Sequence, residues 1–244
     1  MLDYAVISEV GNRKLNEDYI SLAEKDDRYC FIVCDGLGGH GMGDVASRFV
    51  SNVFIEQFNI CDVYDSFLSS TFSIAQEKLV QHQTESNVKN KMRTTAAALL
   101  ISNEEIYVGH VGDSRVYVFN DKGLKSRTID HSVPQMLALS GEISEDEIRK
   151  HPDRNILLRA MGTEWDKPMY ELQEPVVLSE CKAFLLCSDG FWEYISENEM
   201  ITLLNRSITA EEWLDAMADL VKCNGLESKM DNFSAIAIIN QNYK

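Results

Sequence analysis

The 244-residue sequence predicts an α+β fold built on antiparallel sheets. Strand-like runs follow one another through short links, and helical stripes arrive in blocks instead of alternating with strands as βαβ units would. Four prolines, no linker-like tract, no repeat and no low-complexity segment predict a single domain over residues 1–244.

Each element rests on its own pattern. Runs rich in aromatic and β-branched residues predict strands at 29–34, 94–101, 106–111, 116–119, 184–187 and 233–239. Gly112-Asp113-Ser114, between two of these runs, reads as a hairpin turn. Val45, Phe49, Val53 and Phe54 share one helical face, Phe67, Phe72, Ala75 and Leu79 a second, and Trp213, Met217, Leu220 and Val221 a third. Ser144 followed by Glu147 is a capping box that predicts a helix start.

Composition excludes several functions. Lys and Arg total 23 against 39 Asp and Glu, a net charge of −16, and such a surface repels a nucleic-acid backbone. The opening Met1-Leu2-Asp3-Tyr4 lacks a basic, then apolar, leader, and runs such as 96–101 are too short to span a bilayer, so a cytoplasmic protein with no membrane partner is expected. The six cysteines then read as free thiols, with Cys30, Cys34, Cys181 and Cys187 in apolar runs suited to a core.

The acids carry the chemical signal. The run 29–34 ends in Asp35-Gly36, and the run 184–188 ends in Asp189-Gly190. Asp113 follows a third strand, Asp231 precedes a fourth, and Glu17-Asp18 lie together near the start. One Asp-Gly is ordinarily a turn, but several acids gathered at strand ends need compensation, because an uncompensated buried carboxylate costs several kcal/mol. A hard divalent cation supplies it, and all-oxygen ligands without a His-Glu-x-x-His or paired Cys-x-x-Cys favour Mg²⁺ or Mn²⁺ over Zn²⁺.

These residues resemble the metal-dependent protein phosphatases of the type 2C (PPM) family, bacterial branch, over nearly the whole chain. Arg13-Lys14-Leu15-Asn16-Glu17-Asp18, Asp35-Gly36-Leu37-Gly38-Gly39-His40, Thr94-Thr95-Ala96, Val111-Gly112-Asp113-Ser114-Arg115 and Asp130-His131-Ser132 match the family's motifs in order. His151-Pro152 through Arg154-Asn155, Arg159-Ala160-Met161-Gly162, Ser188-Asp189-Gly190 and Asp231-Asn232 complete the set.

The resemblance implies a four-layer αββα sandwich of two antiparallel β-sheets flanked by helices, with a flap at about 133–162. It implies a serine/threonine phosphatase acting on phosphorylated proteins, the products of a Ser/Thr kinase, through a water that bridges two Mn²⁺ or Mg²⁺ ions. By resemblance Asp35 bridges the ions and the Gly36 carbonyl holds the first, with Glu17 or Asp18 nearby through water. Asp189 and Asp231 complete the second, and Asp113 with Asp189 forms a weaker third site. Arg13 grips the substrate phosphate in a fork. A monomer is expected, and within the 141–154 stretch an acidic, mobile lid that tunes substrate choice.

Three positions depart from the family. Leu37 stands where animal members carry a candidate proton donor, so no general acid is assigned to it or to His40, His110 or His131. Arg93 replaces the usual Gly before Thr-Thr, and Leu158 the usual Thr before Arg-Ala. Arg115 and Arg159 read as structural.

Rival readings are weaker. Gly36-Leu37-Gly38-Gly39-His40-Gly41 spells a dinucleotide-binding fingerprint, with Glu56 at the expected distance, yet Glu56 closes a helical stripe and no second strand follows in time. No cysteine has Arg six residues on, which rules out a Cys-x₅-Arg phosphatase. A catalytically silent phosphoprotein-binding module on the same fold is the remaining alternative.

Overall fold

In a computed structural model of the chain, which describes residues 1–38, 41–61, 64–89 and 91–243, the strands form two sheets in which every described pairing is antiparallel. The first sheet has the order β1 (Leu2–Glu9), β11 (Phe233–Asn240), β10 (Ala183–Cys187), β6 (Arg115–Asn120), β7 (Gly123–Arg127). The second runs β2 (Asp18–Lys25), β3 (Arg28–Asp35), β4 (Ala96–Ser102), β5 (Glu105–Val111), and β5 also pairs the short β8 (Glu171–Leu172) and β9 (Val176–Val177). Helices α1 (Gly43–Ile60) and α2 (Phe67–Glu85) cover the second sheet, and α5 (Asp189–Trp192), α6 (Glu197–Leu204) and α7 (Ala210–Gly225) cover the first.

The period-two alternation of strand side chains builds the layers. Cys30, Ile32 and Cys34 of β3 pack with Ala96, Ala98 and Leu100 against Val50, Phe54, Phe58 and Phe72 of the helices. Their neighbours Phe31, Val33, Ala97 and Leu99 face the other way and meet Val116, Val118, Phe184, Leu186, Ile236 and Ile238 of the first sheet. That sheet's outer face, with Tyr117, Phe119, Leu185 and Ala235, packs on Met200, Trp213, Met217 and Val221. Three apolar cores therefore separate four layers, the predicted αββα sandwich. Strands buried on both faces explain the unbroken apolar runs, and each large side chain so buried contributes about 1.5–3 kcal/mol.

Several sequence expectations need correction. Gly112–Ser114 is not a hairpin turn: β5 and β6 lie in different sheets, and the segment carries the chain from one to the other. Gly112 does so at φ +99°, where a Cβ would strike Thr95. The buried stripe of α1 is Ala46, Val50, Val53, Phe54 and Phe58, and Val45 faces solvent. Strands β1, β2 and β7 escaped the reading because they lie at sheet edges, where one face stays wet and apolar richness fades. Helices α3 (Val133–Ser140) and α4 (Glu145–Ile148) belong to the proposed flap, and α4 carries the expected Ser144–Glu147 capping box. The fingerprint reading fails on topology, because β3 leads through α1 into α2 and not into a parallel neighbour, and Glu56 pairs with Lys78 on the helix surface. Gly39 and His40 of that segment lie outside the described residues.

Among the described residues no helix is long and apolar enough to cross a membrane. Cys30, Cys34, Cys181 and Cys187 are buried free thiols, Cys223 is an exposed one, and Cys61 is half-buried.

Candidate active site

The ends of the central strands meet at one cavity of about 690 Å³. Arg13, Glu17, Asp35, Gly36, Asp113, Asp189 and Asp231 line it, which brings together all the sequence-predicted site residues except Asp18. Asp18 lies beneath, buried, and opposite Asp35 in the β2–β3 register.

Local chemistry fixes each acid. Asp35 ends β3, its N–H donates to Thr95 Oγ1 at 2.9 Å, and its carbonyl accepts from Thr94 Oγ1 at 2.8 Å. The two threonines of the Thr-Thr-Ala motif are therefore clamps on the Asp35 backbone. Asp189 opens α5 as its first residue, where the helix N-terminus favours negative charge. Asp18 Oδ2 accepts from Ser188 Oγ at 2.7 Å. Asn232 is a hub: its Nδ2 donates to the carbonyls of Val10 and Leu15, and its Oδ1 accepts from Glu17 N at 2.8 Å. It staples the Arg13–Glu17 loop beside Asp231. Gly36 donates its N–H to the Glu17 carbonyl at 3.1 Å, and Gly38 leaves room for Glu17, whose Oε2 a Cβ there would meet at 1.8 Å.

The carboxylates repel one another. Burial and then Asp189 push Asp35 well above the usual carboxylate range, and burial with Asp189 does the same to Asp113. Burial, partly offset by the serine hydroxyls, pushes Asp18 up to about 7. Burial and the charge of Asp231 push Asp189 up to about 6. Burial raises Glu17 as well. Asp18 Oδ1 and Asp189 Oδ1 are buried without a hydrogen-bond partner among the described residues.

Those two orphaned oxygens, and a donor set made of carboxylates and backbone carbonyls, fit hard divalent cations. Among the described residues no three acids, imidazoles or thiolates form a ready cage around a single ion.

Arg13 is half-exposed and its Nη2 donates to Asp231 Oδ2 at 2.5 Å, so the residue expected to bind phosphate is also the partner of one expected to bind metal. Arg115 is structural as expected: it grips Asp130 with two hydrogen bonds of 2.8 and 2.7 Å and lies 3.5 Å from the Trp192 ring centroid. Arg159, read as structural, lines the cavity, with Nη1 3.1 Å from His131 Nε2. His110 and His131 stack with ring centroids 4.4 Å apart, away from the cavity wall. Burial lowers both, His131 to about 3, so neither is placed or poised as a proton donor.

Sequence reasoning missed the supporting residues. Ser188 and Asn232 stood inside quoted motifs with no role given. Leu37 and Leu158 stood out in the sequence only as departures from the family pattern, and Ile156 could be found only from the fold; all three line the cavity. The 133–162 segment is tied to the body by Arg149, which donates to the Trp192 carbonyl and to Glu197, and by the 2.8 Å Arg154–Glu193 pair. Arg127 and Glu145 make a further ion pair.

A helix-covered double sheet with an acid-lined cavity at its strand ends defines a carboxylate-centred, metal-type site on an αββα sandwich. The chain belongs to the protein phosphatase 2C family, whose pattern matches residues 8–233. It is 32% identical over 233 residues to a serine/threonine phosphatase stp of Listeria monocytogenes, covering 93% of this chain and 90% of that protein. The crystal structure of serine/threonine phosphatase Stp1 from Staphylococcus aureus superposes with a TM-score of 0.90 at 29% identity, covering 99% of this chain and 96% of the other. The catalytic domain of a serine threonine protein phosphatase PstP, solved in complex with two manganese ions, shares the fold, with a TM-score of 0.79 at 24% identity over 98% and 97% of the two chains.

Proposed function

We propose that this chain is a phosphoprotein phosphatase that hydrolyses phosphoserine and phosphothreonine with two Mn²⁺ or Mg²⁺ ions held in the acid-lined cavity. Membership of the family, with named serine/threonine phosphatases among the relatives, sets the reaction class. The observation that supports the site is the crowding of Asp18, Asp35, Asp113 and Asp189, whose mutual repulsion and burial a pair of divalent cations would offset.

Asp35 and the Gly36 carbonyl would hold the first ion, and Asp35, Asp189 and Asp231 the second. Asp113 with Asp189 would form the weaker third site. Glu17 and Asp18 act one step back, Asp18 fixed by Ser188 and Glu17 seated in the space Gly38 leaves. When bound, the ions supply charge neutralisation of the phosphate ester and a water acidified enough to attack at neutral pH. Arg13 takes the phosphate, exchanging its contact with Asp231 for phosphate oxygens at nearly unchanged hydrogen-bond count. Thr94, Thr95 and Asn232 hold these groups at fixed spacing.

The same reading makes residues 1–244 one catalytic domain with a flap at 133–162, a cytoplasmic monomer that reverses a serine/threonine kinase. Sedimentation of the chain as a dimer would overturn the monomer. The phosphatase reading itself is tested by phosphate release from a phosphothreonine peptide in EDTA, Mg²⁺ and Mn²⁺, with Asp35→Asn alongside.

A further inference from the structure

We propose that Thr95 and Ser114 form a buried hydroxyl strut that fixes Asp35 relative to Asp113, which makes them positioning residues for the two core ions and the weaker third site together. This deepens the phosphatase reading and rests on its assignment of those two acids.

The strut begins where the sheet ladders run out. The last β3–β4 pair is Val33 with Ala97, and the last β4–β5 pair is Ala96 with Val111, so Asp35, Thr95 and Gly112 lie just beyond the regular pairing. Thr95 still donates its N–H to the Asp35 carbonyl at 2.8 Å, as a ladder residue would. The return bond is different, because Asp35 N–H donates to the Thr95 hydroxyl, Oγ1, at 2.9 Å. That oxygen lies 2.6 Å from Ser114 Oγ, so one hydroxyl donates to the other. The line from Asp35 N through Thr95 Oγ1 to Ser114 Oγ therefore leaves the second sheet, reaches the link that leads into β6 of the first, and ends on the neighbour of Asp113.

Thr95 and Ser114 are both 0% exposed, so water does not take the place of a lost partner. Removing one hydroxyl strands a buried polar group, and removing both does not double the loss. The Thr95 methyl abuts the same link, since a Cβ on Gly112 would stand 2.6 Å from Thr95 Cγ2. The link's other fastenings lead elsewhere. His131 N donates to the Gly112 carbonyl and its ring accepts from Gly112 N, while Trp192 Nε1 donates to the Asp113 carbonyl at 2.9 Å. Those bonds anchor the link to the Asp-His-Ser segment and to α5, and the hydroxyl pair anchors it to Asp35. Cations of the Mg²⁺ type demand near-ideal geometry, and groups that orient their ligands tune affinity as the ligands do.

The test is calorimetric titration of the full chain with Mn²⁺, without substrate, for wild type, Thr95→Val, Thr95→Ser, Ser114→Ala and the double variant Thr95→Val/Ser114→Ala, each checked for folding by circular dichroism. Ser114→Ala is the discriminating case. Ser114 adjoins Asp113, which is assigned to the weaker site, yet its loss is expected to weaken the core ions about three- to tenfold. Thr95→Val is expected to weaken them by about tenfold or more and the third site as well, with Thr95→Ser close to wild type because the hydroxyl is kept. Added to Thr95→Val, Ser114→Ala should cost less than about twofold more, the mark of a shared interaction. Core-ion affinity unchanged in Ser114→Ala overturns the inference. So do effects of the two substitutions that multiply, which general loosening would give, and a loss in Thr95→Ser as large as in Thr95→Val. If Thr95→Val does not fold, Ser114→Ala and Thr95→Ser decide the question. Wild type that binds no Mn²⁺ takes down the metal-dependent phosphatase reading and this inference with it, whereas wild type that binds Mn²⁺ no better than Ser114→Ala removes this inference alone.

Discussion

At the residue scale the site is a set of charges that constrain one another. Arg13 and Asp231 lie 2.5 Å apart, and the phosphate contact assigned to Arg13 is a ground-state one. Arg13→Ala is therefore expected to raise KM for a phosphopeptide by about 10- to 100-fold, the scale of a charge-assisted hydrogen bond, with kcat less affected. An unchanged KM in steady-state kinetics would return Arg13 to a structural role. The ligand candidates themselves were legible, because Asp at the end of an apolar run is visible without a fold. Their clamps were not: Asn232 joins Val10, Leu15 and Glu17 across more than two hundred residues, and nothing local in Asp231-Asn232 announces that.

The histidines give a residue-scale prediction of a different kind. His131 is buried, accepts from Gly112 N through Nδ1 at 3.1 Å and has its pKa lowered to about 3. The unfolded chain therefore binds a proton that the folded one refuses between pH 6.5 and 3, so this group's contribution is complete above pH 6.5 and is lost as pH falls. Thermal unfolding followed from pH 7 to 4 should show wild type losing stability relative to His131→Asn by up to about 1.4 kcal/mol per pH unit. Parallel profiles for the two proteins would show that His131 does not titrate in this way.

At the scale of elements, what could be read depended on burial. Strands β3, β4 and β10 are buried on both faces and stood out, whereas β1 and β2 lie at the edges and did not. Helix α6 is a different omission. Ser196 and Glu199 form the same capping box as Ser144 and Glu147, so its start was readable by a rule already applied to α4. The hairpin expected at 112–114 failed because two neighbouring strands can belong to different layers, and local turn chemistry does not distinguish these cases. The 141–154 segment, expected to act as a lid, is fastened by Arg149 and Arg154 to the residues just after Asp189. Replacing 141–154 with an unrelated lid should alter relative kcat/KM among phosphopeptides by several-fold while hydrolysis of any one of them still needs metal. Unchanged selectivity across a peptide panel would remove the lid from substrate choice.

At the scale of the molecule, two sheets and their helices converge strand ends on one side, and the acids follow. Six of the carboxylates noted in the sequence meet within or beneath one cavity, although they come from β2, β3, the β5–β6 link, α5 and the approaches to β2 and β11. The sandwich makes such a concentration tolerable only if something positive is present, and Arg13, Arg93 and Arg159 on the walls do not by themselves hold the buried acids in their usual range. The central claim is that divalent cations do so and drive phosphate hydrolysis.

The most direct measurement is phosphate release from a phosphothreonine peptide by wild type and Asp35→Asn, each in EDTA, Mg²⁺ and Mn²⁺, with Mn²⁺ binding followed by calorimetry on the same samples. Wild type should turn over only with metal, and Asp35→Asn should remain folded, bind Mn²⁺ more weakly and lose activity by at least about a thousandfold. Folded wild-type protein that released no phosphate with either metal, or Asp35→Asn that matched it in activity, would contradict the account and favour a silent phosphoprotein-binding module or a different catalytic centre.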